Sequence, residues 1–310
     1  MVTTSIPRRR PNVFQRIWRD RQLWVLLLPG LAFFLIFRYG PMYGLQIAFK
    51  KYSPFLGVDK SPWVGLQYFV QFAKSKDFGM LFRNTVTLSL LSLFINFPAP
   101  IVFALLLNEV RQPKAKKLFQ TVSYLPHFLS VVVVCSIFMD FFSPSVGLVN
   151  RIITSMGGKA IFFVASPRWY RFVYIVSDLW AGLGSGAIIY LAALAGVDPT
   201  LYEAASIDGC TRFKMVRHIT LPSILPTVIT MFLLSCGRLL NVGADKTLLL
   251  YSPLTYEVAD VFSTYVYRVG ITKANYSFAS AVGMFTSILS AGVLLMANAV
   301  SRRTTGESLW

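Results

Sequence analysis

"EAASIDGCTRFKMVRHITLP" runs from Glu203 to Pro222, an island of small and charged residues between two long apolar runs. A buried core has no need of such an island; a docking surface does. Just upstream, Asp198-Pro199 opens a helix well, with an acceptor side chain at the cap and then a proline at the first helical position. Asp208-Gly209 supplies a turn, because glycine tolerates positive φ. Thr211 can cap a second short helix through "RFKMVRHI", and Pro222 closes the segment and opens the next apolar run. The expected product is a helix, a turn and a helix lying on the surface. Ala204 and Ala205 make it narrow enough to enter a cleft, and Phe213 and Val216 give it an apolar anchor. Glu203, Arg212, Lys214 and Arg217 form a charged rim. An apolar anchor inside a polar rim is the anatomy of a protein–protein contact. By chemistry alone, an ordinary amphipathic surface helix joining two apolar segments fits equally well.

The chain has 310 residues, 55% hydrophobic and 14% charged, where soluble domains carry about 25% charged residues. Its apolar residues form continuous runs of roughly 20 residues, the length that crosses a bilayer as a helix. They do not alternate, as barrel strands would. The fold class is therefore all-α integral membrane, with six transmembrane helices expected at roughly 22–48, 82–107, 119–142, 172–196, 222–243 and 276–300. Arg38 and Pro41, inside "FRYGPMYG", predict a kink or an early exit in the first span. Met1 to Arg21 resembles the charged start of a signal peptide. The apolar segment after it continues past Tyr39 without a small-residue cleavage site, so it reads as a cytoplasmic basic arm before an uncleaved helix.

Six spans put both termini on one side. Lys and Arg divide fifteen to fifteen between the two sides, so total count does not orient the chain. The short loop "RQPKAKK" (Arg111–Lys117) and the six arginines of the arm favour both termini in the cytoplasm. The expected organisation is an arm at 1–21, a transmembrane domain at 22–302 containing the loop 198–222, and a tail at 303–310.

Net charge is +17, but the basic residues lie in loops and at the ends, with no aromatic-rich basic module. That excludes nucleic acid and points to membrane lipids and anionic partners. The three cysteines, Cys135, Cys210 and Cys236, form no CxxC pair, and no metal site follows. "GGKA" (Gly157–Ala160) and "GADKT" (Gly243–Thr247) both fail as Walker A loops. No catalytic residue, metal or cofactor is assigned, and the chain does not read as an enzyme.

Polar groups inside spans are costly and usually face a cavity or a partner. Asn84, Asn96, Asp140, Asp178, Arg238 and Asn241 are the polar residues in spans that could line a transport path, with Trp180 beside Asp178. A carboxylate and an indole suit sugar hydroxyls and ring faces. A salt bridge from Asp178 to a neighbouring span fits equally well, and Arg238 and Asn241 can lie at outer ends where water removes the cost.

The island has a further pattern. "EAA", three residues, Gly209, nine residues and then Ile219-Thr220-Leu221-Pro222 match the cytoplasmic signature of ABC-importer permeases. "LLLPGLAFFLIFRYGPMYGLQIAFKKYSPF" (Leu26–Phe55), "LFQTVSYLPHFLS" (Leu118–Ser130) and "LWAGLGSGAIIYLAALAGVDPTLYEAASIDG" (Leu179–Gly209) resemble the carbohydrate-uptake type I permeases. Gly-Pro-Met-Tyr-Gly and the long basic arm are similar to the polysaccharide and oligouronate branch, which includes alginate importers. Cys210 departs from that branch, which commonly has Ala there.

The resemblance implies a permease in the bacterial inner membrane, paired with a second homologous permease. Two ATPase subunits would carry ATP and Mg, and an extracytoplasmic solute-binding protein would deliver an oligosaccharide. It implies that Glu203, Ala204, Ala205, Asp208, Gly209, Arg212 and Phe213 belong to a coupling helix held by the ATPase. Arg151, Lys159, Arg168, Arg171, Lys246, Arg268 and Lys273, on the outer side, favour an acidic cargo. The rivals are a permease for a neutral sugar or another small solute, and a membrane scaffold with no transport role.

Overall fold

The structure is a computed structural model, and it describes residues 21–309. Apart from Arg21, the basic arm expected at 1–21 lies outside the described residues. Within them the chain is helical, with one isolated antiparallel bridge, Lys50 to Trp63. Five helices are long and apolar enough to span a membrane. They are α1 (Arg21–Phe49), α3 (Phe78–Glu109), α7 (Pro167–Ala195), α9 (Arg212–Gly237) and α12 (Tyr276–Thr304). Between them lie the shorter helices α2 (Gln67–Ala73), α6 (Leu148–Ser155), α8 (Pro199–Ile207), α10 (Ala244–Leu250) and α11 (Phe262–Tyr267).

The third apolar run, expected as one span at 119–142, is instead two helices. α4 (Pro113–Phe128) and α5 (Val131–Phe141) meet at 105°. Pro126 sits in a tight turn, Leu129 is extended, and Ser130 restarts the helix by accepting a hydrogen bond from the Val133 N–H at 3.3 Å. Hydropathy reports composition along the chain; it does not report a change of direction.

Pro41, expected at a kink or early exit, and Pro222, expected at a helix boundary, both lie inside long helices, each just after a π turn. In α1, residues Leu35–Tyr39 widen into a π turn, with the Gly40 N–H donating to the Leu35 carbonyl, just before Pro41. In α9, Val216–Thr220 do the same, with the Leu221 N–H donating to the Val216 carbonyl, just before Pro222. A proline lacks an N–H and its ring crowds the preceding turn. A π turn at that position absorbs the mismatch without ending the helix. The helix that carries the fifth span therefore starts at Arg212, not at Pro222, and "RFKMVRHI" is its first stretch rather than a separate short helix.

α7 is the central post. Its lower half packs on α3 and α9 through Ile101, Ala104, Ala187, Tyr190, Leu194 and Ile224. Gly184 lets α4 cross it at backbone distance: a Cβ there would lie 2.2 Å from the Ser123 carbonyl oxygen. Small residues at such crossings replace the hydrophobic drive that lipid does not supply. At the opposite end an aromatic cluster around Phe72, Phe262, Tyr265 and Phe278 ties α2 and α11 to α12. Residues 21–42 of α1 stand apart, with none buried.

Candidate functional site

Two regions answer to the sequence candidates, one just past the C-terminal end of α7 and one along its middle. The first is the loop that joins α7 to α9. Asp198 accepts a hydrogen bond from the Thr200 N–H at 2.9 Å and so caps α8, with Pro199 at the first position. That backbone bond holds the Asp198 carboxyl below the usual carboxylate range. Gly209 takes φ +69°, and nothing lies within 4 Å of where its Cβ would be. Glycine is chosen there for conformation, not for space. Thr211 caps α9.

One face of α8 is tied down. Ala205 is buried, and the Tyr202 hydroxyl lies 2.9 Å from Thr220 Oγ1 on α9. Arg212 pairs with Glu109 at 3.5 Å, bringing the end of α3 to the same side. The other face is exposed, with Glu203, Ala204, Asp208, Gly209 and Phe213 on it, and Arg212 is exposed too although it pairs with Glu109. Ile207, 87% exposed, was not among the residues singled out from the sequence. Its spacing could have shown it, because it lies four residues after Glu203 and three after Ala204, on one helical face. Ile207 and Phe213, 75% exposed, are two large apolar groups presented from either side of the Gly209 turn. Val216, expected beside Phe213 in the anchor, is half-buried.

The second region is a cavity of about 400 Å³, within the range of small-molecule sites. α3 supplies Ser89, Ser92 and Asn96, α7 supplies Tyr174, Asp178 and Tyr190, and the end of α9 with the turn after it supplies Ser235, Arg238 and Asn241. Four sequence candidates thus converge: Asn96, Asp178, Arg238 and Asn241. Asn84, Asp140 and Trp180 do not line it. Asn84 is fully buried, donating to the carbonyls of Glu257 at 2.9 Å and Asp260 at 3.1 Å, and accepting from Arg171 at 3.2 Å. Trp180 packs edge-on against Phe138 of α5, with ring centroids 5.7 Å apart.

Asp178 has a partner that the sequence did not name. Lys246 of α10 reaches it at 2.6 Å, donates to the Tyr174 carbonyl at 2.5 Å, and lies 4.0 Å from the centre of the Tyr174 ring. Arg238 has no carboxylate within ion-pair distance among the described residues. Two of the seven outer cations are thereby consumed internally: Lys246 by Asp178, and Arg268 by Asp260 at 2.5 Å. Among the described residues no group of three or more His, Cys, Asp or Glu could hold a metal ion.

Comparison with known proteins gives this geometry its context. The family model described as "Binding-protein-dependent transport system inner membrane component" matches residues 96–306. The chain is 45% identical over 292 residues to Protein LplB of Bacillus subtilis (strain 168), covering 94% of this chain and 92% of that one. It is 39% identical over 302 residues to the polygalacturonan/rhamnogalacturonan transport system permease protein YteP of the same organism, covering 97% and 94%. Among solved structures it is similar to a chain of a bacterial ABC transporter involved in the import of the acidic polysaccharide alginate. That match has 43% identity and a TM-score of 0.87, covering 94% of this chain and 99% of that one.

Proposed function

The chain belongs to the binding-protein-dependent transport system inner membrane components, the permease subunits of ABC importers, and on that premise we propose that it carries an acidic oligosaccharide. It is a multi-pass protein of the bacterial inner membrane, and the ATPase activity of the importer lies in partner subunits. The observation that carries the cargo proposal is the cavity. Its hydroxyls and amides suit a sugar, its one carboxylate is cancelled by Lys246, and an arginine is left unpaired at its wall. The names of the similar proteins, which handle alginate and polygalacturonan, support the same class of cargo.

The remaining parts follow the same reading. The 198–222 loop is the coupling element, with Glu203, Ala204, Asp208, Gly209, Arg212 and Phe213 facing a groove of an ATPase subunit that holds ATP and Mg. Ala205 serves it from behind, as the buried contact of α8. A second, homologous permease completes the path; residues 21–42, apolar and uncovered within this chain, offer it a surface. Both termini lie in the cytoplasm with the loop. The arm 1–21 and tail 303–310 flank the transmembrane domain, and an extracytoplasmic binding protein delivers cargo to the opposite end.

The test is ATPase stimulation in proteoliposomes holding the assembled importer and its binding protein. Oligouronates are compared with neutral oligosaccharides of equal length. Stimulation by the uronates is expected; stimulation by the neutral sugars alone would overturn the cargo. Persistence at high salt would show that close contacts carry the selectivity, since long-range attraction is screened.

A further inference from the structure

The two cations nearest the cavity are built differently. Lys246 is buried, with its ammonium held by Asp178, by the Tyr174 carbonyl and by the Tyr174 ring. Its charge is spent within the protein. Asp178, in turn, is no longer a net negative charge on the cavity wall. Arg238 caps the end of α9 and is exposed, with no side-chain partner among the described residues. At a helix C-terminus its charge is favourable without requiring a carboxylate, so the guanidinium keeps its donors available.

Around it the cavity holds polar atoms that the chain leaves unsatisfied. Ser89 is 3% exposed, and its hydroxyl has no hydrogen-bond partner. Asn96 donates to Ser92 at 3.3 Å, while its side-chain oxygen is buried without a partner. A buried polar atom left unpaired is costly, and both of these belong to residues that line the cavity.

We propose that Arg238 is the specificity-determining residue that binds a carboxylate of the cargo, with Ser89, Asn96 and Asn241 taking hydroxyls of the same stretch of sugar. This rests on the acidic-cargo reading and deepens it by naming the discriminating group. The planar guanidinium offers two parallel N–H donors to one carboxylate, a match that an ammonium does not reproduce. Lys246 contributes indirectly: by cancelling Asp178 it removes the repulsion that a uronate would meet.

The experiment uses the assembled importer in proteoliposomes with its binding protein. Its readout is a ratio: transport of an oligouronate over transport of the same oligosaccharide with its carboxyls reduced to alcohols. Arg238→Gln is expected to lower that ratio by roughly 10- to 100-fold, the span for a lost hydrogen bond to a charged group. Arg238→Lys, which keeps the charge and loses the fork, is expected to fall between Gln and wild type. If Arg238→Gln does not assemble, the Lys variant still decides, because an unchanged ratio there contradicts bidentate recognition. A wild type that transports only the reduced sugar overturns the acidic-cargo reading itself. A wild type that transports the uronate, with variants that leave the ratio unchanged, overturns the role of Arg238 alone.

Discussion

The loop between α7 and α9 and the cavity beside the middle of α7 are built in opposite ways. The loop is contiguous in sequence, and most of its bonds are local: Asp198 to Thr200, Thr211 to Lys214 and the positive-φ turn at Gly209. Tyr202 to Thr220 joins its two helices, and the main side-chain tie to another element is Arg212 to Glu109. The cavity has walls from three long helices and the turn after α9, and its charge balance depends on Lys246 reaching Asp178 from another element. The difference separates fold from function. A change on the exposed face of the loop should act on a partner and spare the fold. A change at the cavity should act on both.

The largest effect on stability should come from the cavity's ion pair. Lys246→Met leaves Asp178 beside a buried wall with no counter-charge. Removing one partner of a buried pair costs about 3–5 kcal/mol, and because Asp178 is 39% exposed on its side chain the lower end applies, about 3 kcal/mol. Lys246→Met with Asp178→Leu should recover most of the loss. Thermal unfolding of the purified protein in detergent measures both, and a single variant as stable as wild type would mean that the pair does not hold the wall.

A smaller effect should come from the loop. Gly209→Val places a β-branched residue at φ +69°, at a cost of about 1–2 kcal/mol in backbone strain. Gly209→Asn should be milder, since Asn tolerates that region. The Cβ has open space, so the two variants should differ. Equal melting temperatures for Val and Asn would contradict a conformational role for the glycine.

The same contrast explains what could be read from the sequence. The caps at Asp198 and Thr211 and the turn at Gly209 were legible because capping and turn chemistry act within a few residues. Five apolar runs were legible as long helices for the same local reason. The 105° bend between α4 and α5 was not, because Pro126 and Ser130 lie inside a run that is apolar on both sides. Nor was the passage of α9 through Pro222, since the π turn that absorbs it has no residue signature of its own. At the cavity, Asn96, Asp178, Arg238 and Asn241 stood out as polar residues in apolar surroundings. Asn84 stood out equally, yet it serves buried backbone carbonyls. An unusual residue in a span marks a place where a polar group is needed, and only three-dimensional proximity tells a ligand from a brace. Lys246 showed the converse: it read as one of several outer cations until its partner came into view.

Coupling to the ATPase depends most directly on the exposed face of the loop. The decisive measurement is Glu203→Lys, scored in one preparation for the amount of permease in the membrane, for ATPase co-purified with it, and for transport driven by the binding protein. Permease at the wild-type level, with the ATPase lost or transport uncoupled, is the predicted result. Normal assembly and transport at the wild-type rate would contradict the assignment of this loop as the coupling element.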